Sequence, residues 1–178
     1  MTQILEARKG NITPEMETVA RAEGVSLDHV LDGVANGTIV ITRNAVHTTI
    51  APLGIGKGLR TKINANIGTS KDRMSIPDEI EKLRMAVSSG ADAVMDLSTG
   101  GPIIEIRKEI LSQSTVAIGT VPIYQAAVET VGQGKSIVQM DPELLFRVIE
   151  EQAEEGVDFI TVHCGVTRES VERLKRQG

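Results

Sequence analysis

Residues 90–101 read GADAVMDLSTGG, and this stretch decides the fold class. Gly90 suits the left-handed backbone conformation that ends a helix, and the apolar run after Asp92 suits a strand that is buried on both faces. The same order of helix, glycine, aspartate and apolar run returns around Gly156 and Asp158. This weak internal repeat predicts two copies of a helix followed by a buried parallel strand.

Apolar runs and amphipathic segments alternate regularly on both sides of this stretch. The runs predicted to form strands are 61–67, 91–97, 115–121 and 157–164, and the segments predicted to form helices are 77–89, 103–112, 124–131, 142–155 and 167–176. Four βα units in succession imply parallel strands joined by right-handed crossovers. They amount to half of a (βα)8 TIM-type barrel, which needs about 250 residues. A doubly wound sheet remains the alternative, because both folds share this pattern.

The sequence divides into an N-terminal helical and loop region, residues 1–60, and the first half of a barrel, residues 61–178. Thr13 and Gly24 suit the two ends of one helix, and Ser26 suits the cap of a second. A β-branched run at 38–42 predicts a strand, and a glycine-rich segment at 52–59 predicts a loop.

The composition excludes several classes of protein. Aromatic residues make up 2% of the 178 residues and the net charge is −5, which disfavours base-stacking modules and basic nucleic-acid-binding surfaces. No run of eighteen apolar residues is present to span a membrane, and the first ten residues lack the pattern of a targeting signal. We therefore expect a cytoplasmic protein with no nucleic-acid or membrane partner, built on one ordinary core or on an incomplete larger one.

The cysteine and histidine content gives no metal site. Cys164 is the one cysteine, which excludes an internal disulfide and any multi-cysteine metal or iron–sulfur site built from this chain alone. With no base or second cysteine beside it, Cys164 is predicted to be a small buried residue. His29, His47 and His163 show no metal-binding spacing, so no metal ligand is predicted.

Polar residues follow each predicted strand, at the end where parallel α/β folds bind ligands. In strand order these residues are Asn64, Asn66, Thr69 and Ser70, then Asp96, Ser98 and Thr99, then Thr120 and Tyr124, and last Thr161 and His163. Each cluster alone is typical of turns and helix caps. Four clusters at equivalent positions indicate a ligand site.

Two further polar features have simpler interpretations. The turn at 98–101 can present backbone N–H groups to an anion, although glycine-rich turns are common. The charged residues Asp78, Glu79, Glu81 and Lys82 are typical of the first turn of a helix, and we expect them on its solvated face and not as paired catalytic carboxylates.

Four motifs at these strand ends, in order and spacing, resemble the phosphomethylpyrimidine synthase family. They are KINANIGTS at 62–70, GADAVMDLSTGG at 90–101, IGTVPIYQA at 118–126, and EQAEEGVDF at 151–159 with His163 soon after. The resemblance is close over about residues 52–167 and looser before them. Four ordered motifs are far more specific than one.

The resemblance implies a cytoplasmic radical enzyme of thiamine biosynthesis with a (βα)8 barrel, usually a homodimer. Its reaction is the rearrangement of 5-aminoimidazole ribotide to 4-amino-5-hydroxymethyl-2-methylpyrimidine phosphate, catalysed as a carbon–carbon lyase. The implied cofactors are S-adenosylmethionine as radical source, a [4Fe-4S] cluster that reduces it, and zinc.

Four residues of this sequence match the family's substrate-contacting positions, namely Asn66, Met95, Tyr124 and His163. Asparagine donates and accepts hydrogen bonds, tyrosine and histidine offer polar tips, and methionine supplies apolar contact to a ring. The family's two zinc histidines and its three-cysteine cluster motif would lie beyond Gly178. No catalytic residue and no metal ligand is therefore assigned within this sequence.

Three functional hypotheses remain open. The first is an incomplete piece of the enzyme that carries part of the substrate pocket and that a complementary C-terminal polypeptide could complete. The second is a non-catalytic ribotide-binding half-barrel, paired with itself through its exposed sheet edges. The third, a fragment of an unrelated barrel lyase or aldolase, is poorly supported because Lys62 lies near a strand start, away from the end where a Schiff base would form.

Overall fold

A computed structural model describes residues 2–177 of the protein. Its helices are α1 (Gln3–Ala7), α2 (Pro14–Glu23), α3 (Leu27–Ala35), α4 (Ile76–Ser88), α5 (Ile103–Gln113), α6 (Pro122–Gly132), α7 (Pro142–Glu155) and α8 (Arg168–Gln177), with a 3₁₀ turn at Ile137–Gln139. Its strands are β1 (Ile39–Thr42), β2 (Leu53–Gly56), β3 (Asn64–Ile67), β4 (Ala93–Asp96), β5 (Ala117–Thr120) and β6 (Phe159–Ile160). Among these residues, no helix is long and apolar enough to cross a membrane.

Side-chain caps begin the second and third helices at the predicted residues. Thr13 Oγ1 accepts a hydrogen bond from Met16 N at 3.2 Å, and Ser26 Oγ accepts one from His29 N at 3.1 Å. Gly24 ends α2 with a φ of 67°, in the left-handed region. These predictions are confirmed, whereas the short helix α1 has no counterpart in the sequence analysis.

The segment predicted as a glycine-rich loop contains strand β2. This strand pairs antiparallel with β1, with Gly54 opposite Ile41. A Cβ atom at Gly54 would lie 2.4 Å from Cγ1 of Val19, so the missing side chain lets the hairpin pack directly on α2. The loop prediction is wrong because here glycine permits close packing and does not break the strand.

Helices α1 to α3 and the hairpin enclose an apolar core. Its fully buried members include Met16, Val19, Val30, Val34 and Ile39. Since these side chains come from two helices and a strand, the N-terminal residues fold around a cluster of their own.

Strands β3 to β6 form one parallel sheet whose spatial order follows the chain order. Asn66, Met95, Gly119 and Phe159 are paired neighbours on the four successive strands. Each strand is shorter than its predicted run, because neighbouring backbones pair over only four residues, or two in β6. The predicted mixed α/β class with four parallel strands is confirmed.

One face of this sheet packs against helices α4 and α5. Ile67, Val94 and Ile118 from three strands lie in the same buried cluster as Leu83 and Ile106. Successive side chains of a strand point to opposite faces, so the residues between them point away from these helices.

The opposite face is covered at the amino ends of its strands. Ile50, from the N-terminal region, packs with Ala93 and Ala117, and Leu53 lies against the same cluster. Towards the carboxyl ends Asn66 is exposed, so this face remains accessible at the end where the sequence predicts a ligand.

The internal repeat has a structural role. Asp92 Oδ2 accepts a hydrogen bond from Ile63 N, and Asp158 Oδ2 accepts one from Ile118 N, both at 2.8 Å. The glycine two residues before each aspartate has a positive φ, as predicted. Each copy of the repeat therefore ends a helix and fastens the following strand to the strand before it.

Candidate functional site

Strands β3 and β4 present two predicted site residues side by side. Asn66 and Met95 occupy paired positions in the parallel ladder, so their side chains project from the same face. Asn66 is exposed and Met95 is half-buried. Asn64 Nδ2 donates to Asn66 Oδ1 at 3.0 Å, which orients the Asn66 amide. Together the two side chains can offer amide hydrogen bonds and a thioether contact to one ligand.

Tyr124 and His163 form a second pair. Their ring centroids lie 6.4 Å apart and their planes are inclined at 33°, which is within the range of an aromatic contact. Tyr124 belongs to the first turn of α6, directly after β5, and is half-buried. The two rings can therefore line one wall of a ligand site.

His163 lies outside the fourth strand, although the sequence predicted a strand to residue 164. Strand β6 ends at Ile160, and Thr161 N makes one further ladder bond, to Thr120 O at 2.8 Å. Within the described part of the chain, strand β6 is paired only with β5, and their ladder covers two residues on each strand, so the pairing stops before His163. Cys164, in the same segment, is exposed, so its predicted burial is wrong for the same reason.

Thr161 connects the segment that carries His163 to the sheet. Its Oγ1 donates to Met95 Sδ at 3.8 Å, across the intervening strand β5. That strand has Gly119 beside Met95, so β5 itself places no side chain between the two. The four predicted residues thus lie as two pairs along one end of the sheet. Thr161, two residues before His163, links the pairs by its contact with Met95.

The turns after β3 and β4 are locked together by hydrogen bonds. Thr69 N donates to Ser98 Oγ at 3.1 Å, and Thr69 Oγ1 donates to Gly100 O at 2.6 Å. Thr99 N donates to Thr69 O at 2.9 Å, and Ser98 N donates to Asp96 Oδ1 at 2.9 Å. The N–H groups of Ser98 and Thr99 are therefore bonded within the protein and are not free to bind an anion, the weaker of the two interpretations of this turn.

Glu79 is a buried structural carboxylate, whereas the sequence placed it on a solvated face. Its Oε2 accepts a hydrogen bond from Gly68 N at 2.8 Å, and its Oε1 accepts one from Lys82 Nζ at 2.5 Å. A signal was present, because Glu79 follows Ile76 by three residues and precedes Leu83 by four, on the apolar stripe of α4. It fixes the turn that follows β3.

Burial raises the pKa of the Asp96 carboxyl above its ordinary value. The charge of Glu79 adds to the rise, while the hydrogen bonds from Ser98 and the charge of Arg107 oppose it. Since the folded pKa exceeds the unfolded one, the contribution of Asp96 to the free energy of unfolding falls as pH rises from about 3.9 through the folded value. We expect Asp96→Asn to gain stability relative to the natural protein as pH rises, measured by urea denaturation at several pH values.

Asp92→Asn supplies a control of opposite sign. The hydrogen bond from Arg60 lowers the pKa of the Asp92 carboxyl, and the hydrogen bond from Ile63 N acts in the same direction. A lowered pKa means that the ionised Asp92 carboxylate stabilises the folded state. That stabilisation is present above the unfolded pKa and is lost as pH falls through the folded pKa. The advantage of the natural protein over Asp92→Asn should therefore grow with pH. A pH-independent difference for Asp96→Asn would contradict the prediction.

A cleft of about 350 Å³ lies beside Tyr124. Lys71 and Thr99 line it, and α6 contributes Val128 and Val131. The cleft therefore combines an apolar wall with one cationic side chain next to the proposed aromatic pair. Among residues 2–177, no three His, Cys, Asp or Glu side chains are grouped to hold a metal ion.

Parallel strands joined by helices, with polar residues at the carboxyl ends of the strands, define the broad class, an α/β fold with a parallel sheet. Folds of this class bind their ligands at that end of the sheet. The model of the radical SAM ThiC family matches residues 2–178. The chain belongs to this family, and the resemblance drawn from the four motifs is confirmed.

Curated relatives carry the name phosphomethylpyrimidine synthase. The protein of Syntrophus aciditrophicus (strain SB) is 56% identical over 178 residues, covering 100% of this chain and 42% of that protein. The protein of Thermodesulfovibrio yellowstonii is 58% identical over 175 residues, covering 98% of this chain and 41% of that protein. The chain therefore spans about two-fifths of the length of the curated relatives it matches.

Proposed function

We propose that this chain forms part of the substrate site of a phosphomethylpyrimidine synthase, in the biosynthesis of the thiamine pyrimidine. The proposed reaction is the S-adenosylmethionine-dependent radical rearrangement of 5-aminoimidazole ribotide to 4-amino-5-hydroxymethyl-2-methylpyrimidine phosphate, a carbon–carbon lyase reaction in the cytoplasm. The observation that supports it is the occurrence of Asn66 beside Met95, and of Tyr124 against His163, in a chain of the radical SAM ThiC family.

The proposed roles follow the chemistry of these side chains. The Asn66 amide both donates and accepts hydrogen bonds, as the amino group and ring nitrogens of an aminoimidazole require. Met95 offers a polarisable apolar contact to the ring. Tyr124 and His163 offer polar atoms to the ribose hydroxyls or the phosphate.

The proposed architecture is a (βα)8 barrel of which residues 61–178 form the first half, after an N-terminal region of residues 1–60. Each new strand of the sheet is added at the same edge, in chain order, which favours a barrel. A doubly wound sheet reverses its strand order at a switch point. In the proposed barrel, further strands extend the sheet beyond β3 and beyond β6.

Within residues 2–177 the side chains do not fit a [4Fe-4S] cluster or a zinc ion, because no three His, Cys, Asp or Glu side chains are grouped there to hold a metal. Such a cluster is held by several cysteine thiolates, whereas the sequence has one cysteine, Cys164. The family implies S-adenosylmethionine and the cluster, so we assign the cluster and zinc ligands to residues outside 1–178. They belong either to a longer form of the polypeptide, as a homodimer, or to a complementary C-terminal polypeptide.

A non-catalytic ribotide-binding half-barrel is the second candidate. It is favoured by the coexistence of the two site pairs with a single cysteine, because binding needs the pairs and the proposed radical chemistry needs more thiolates. Both candidates predict ribotide binding by this chain. They differ in turnover, since a C-terminal polypeptide with a reduced cluster should restore turnover only for the enzyme.

Calorimetry with 5-aminoimidazole ribotide tests the binding site. We expect the chain to bind the ribotide, and His163→Ala and Asn66→Ala each to weaken binding about 2- to 10-fold, because a lost neutral hydrogen bond costs about 0.5–1.5 kcal/mol. Cys164→Ser is the matched control, since Cys164 is exposed beside His163 and outside the proposed set. Equal losses for Cys164→Ser and His163→Ala, or no binding by a folded chain, would reject the proposal.

A further inference from the structure

Four buried polar side chains form one cluster on the helix-covered side of the sheet. Arg107 of α5, Thr120 of β5, Gln125 of α6 and Gln152 of α7 are each at most 3% exposed. Burying a polar group is costly unless it is hydrogen-bonded, so each of these side chains needs hydrogen-bond partners inside the protein. We call these four residues the clamp.

Gln125 is the central member of the clamp. Its Oε1 accepts hydrogen bonds from Arg107 Nη1 and from Gln152 Nε2, both at 2.9 Å. Its Nε2 donates to Glu129 Oε1 at 2.8 Å, so both ends of the amide are engaged. Gln125 therefore has one amide orientation that makes all three of these hydrogen bonds.

The clamp is anchored at both ends. Thr120 Oγ1 donates to Gln152 Oε1 at 2.6 Å, which ties the last residue of β5 to α7. Arg107 Nε donates to Glu155 Oε2 at 2.6 Å, and the second guanidinium nitrogen, Nη2, lies at the same distance without hydrogen-bond geometry. The guanidinium charge is thus balanced by a carboxylate at the end of α7.

We infer that the clamp positions Tyr124, which makes Gln125 a positioning residue for the ligand site; the ligand part of this inference rests on the proposed function. Gln125 is the next residue after Tyr124 in the first turn of α6, and that turn has no side-chain cap. Directional bonds to Gln125 therefore fix the turn that carries the tyrosine. Thr120, in the same cluster, fixes the end of β5. The clamp therefore sets the position of Tyr124 relative to the end of this strand.

The intrinsic fluorescence of the chain reports this position directly. Tyr124 is the one tyrosine and there is no tryptophan, so tyrosine emission comes from a single site. We expect Gln125→Met, which keeps the length but removes both hydrogen-bonding ends, to raise acrylamide quenching of this emission about twofold in the ligand-free chain, because the turn becomes locally mobile. Ile80→Val, a buried change on α4, is the control and should leave quenching unchanged.

Ribotide affinity separates positioning from general stability. Gln125→Met should weaken binding about tenfold in the natural background, because a small misplacement of a positioned group is costly. In a Tyr124→Ala background it should cause little further loss, since the residue it positions is gone. A purely structural role would instead give the same loss in both backgrounds, and would overturn the inference.

The two readouts also separate this inference from the proposed function. If the natural chain does not bind ribotide, the proposed function fails, while quenching in the ligand-free chain still decides whether the clamp holds Tyr124. Unchanged quenching in a folded Gln125→Met variant overturns the clamp. If Gln125→Met does not fold, Thr120→Val, which removes only the bond to Gln152, decides by the same quenching measurement.

Discussion

Asp158→Ala is expected to lower the free energy of unfolding by about 3–5 kcal/mol, because it removes the acceptor of three hydrogen bonds and each donor left unsatisfied costs about 1–3 kcal/mol. The Asp158 side chain is fully buried. Its oxygens lie 2.7 Å from Asn44 N, 2.7 Å from His47 Nδ1 and 2.8 Å from Ile118 N. Truncation would leave these nitrogens without their acceptor, and His47 and Ile118 are buried residues, so an unmade bond there carries the desolvation cost of its donor.

The same substitution should loosen the N-terminal region from the sheet. Asn44 and His47 belong to the segment between β1 and β2, and both bond to the Asp158 carboxylate, immediately before β6. Asn44 Nδ2 also donates to Ala153 O at 2.6 Å, which depends on the same placement of the segment. We therefore expect residues 44–47 to lose hydrogen-exchange protection along with global stability.

Asp92→Ala is the matched control for Asp158→Ala, because it occupies the same place in the internal repeat. Its side chain is 11% exposed, and its partner Arg60 is 61% exposed and can be solvated by water. We expect a smaller loss, about 1–2 kcal/mol. Urea denaturation of both variants measures the difference. Equal losses, or an Asp158→Ala variant as stable as the natural protein, would contradict the argument.

Features that depend on neighbouring residues could be predicted from the sequence. The cap at Thr13 is local, because the side chain and the N–H it binds lie three residues apart. The glycine and aspartate of the repeat likewise marked where a helix ends and a strand begins, at Asp92 and Asp158. The ends of β3, β4 and β5 followed from this alternation to within one residue, and the motifs at the strand ends indicated the family.

Features that depend on distant partners could not be predicted. Arg107 and Gln125 belong to different helices, and no periodicity joins them before the fold is known. Glu79 was misjudged because a charged residue in a first turn is usually solvated, and its bond to Gly68 crosses from a helix to a strand end. The end of β6 was overestimated because strand length depends on pairing with a neighbour, which an apolar run does not reveal.

Gly119→Ala is expected to lower the free energy of unfolding by about 1–3 kcal/mol through overpacking. A Cβ atom at this position would lie 2.3 Å from Cε2 and 2.4 Å from Cζ of Phe159, well inside van der Waals contact. The ring must therefore move, and it packs against Ile50, Ala93 and Ala117. Urea denaturation measures the loss.

Phe159→Leu tests the cause of that loss. A leucine lacks the ring atoms that the new methyl group meets, so the double variant Gly119→Ala/Phe159→Leu should be more stable than the sum of the single changes by about 1 kcal/mol. Strict additivity would show that the strain lies elsewhere. The outcome also bears on the ligand site, because Thr161, which contacts Met95, follows Phe159 by two residues. If the ring sets the position of β6, Gly119→Ala should also weaken ribotide binding, and Phe159→Leu should partly restore it.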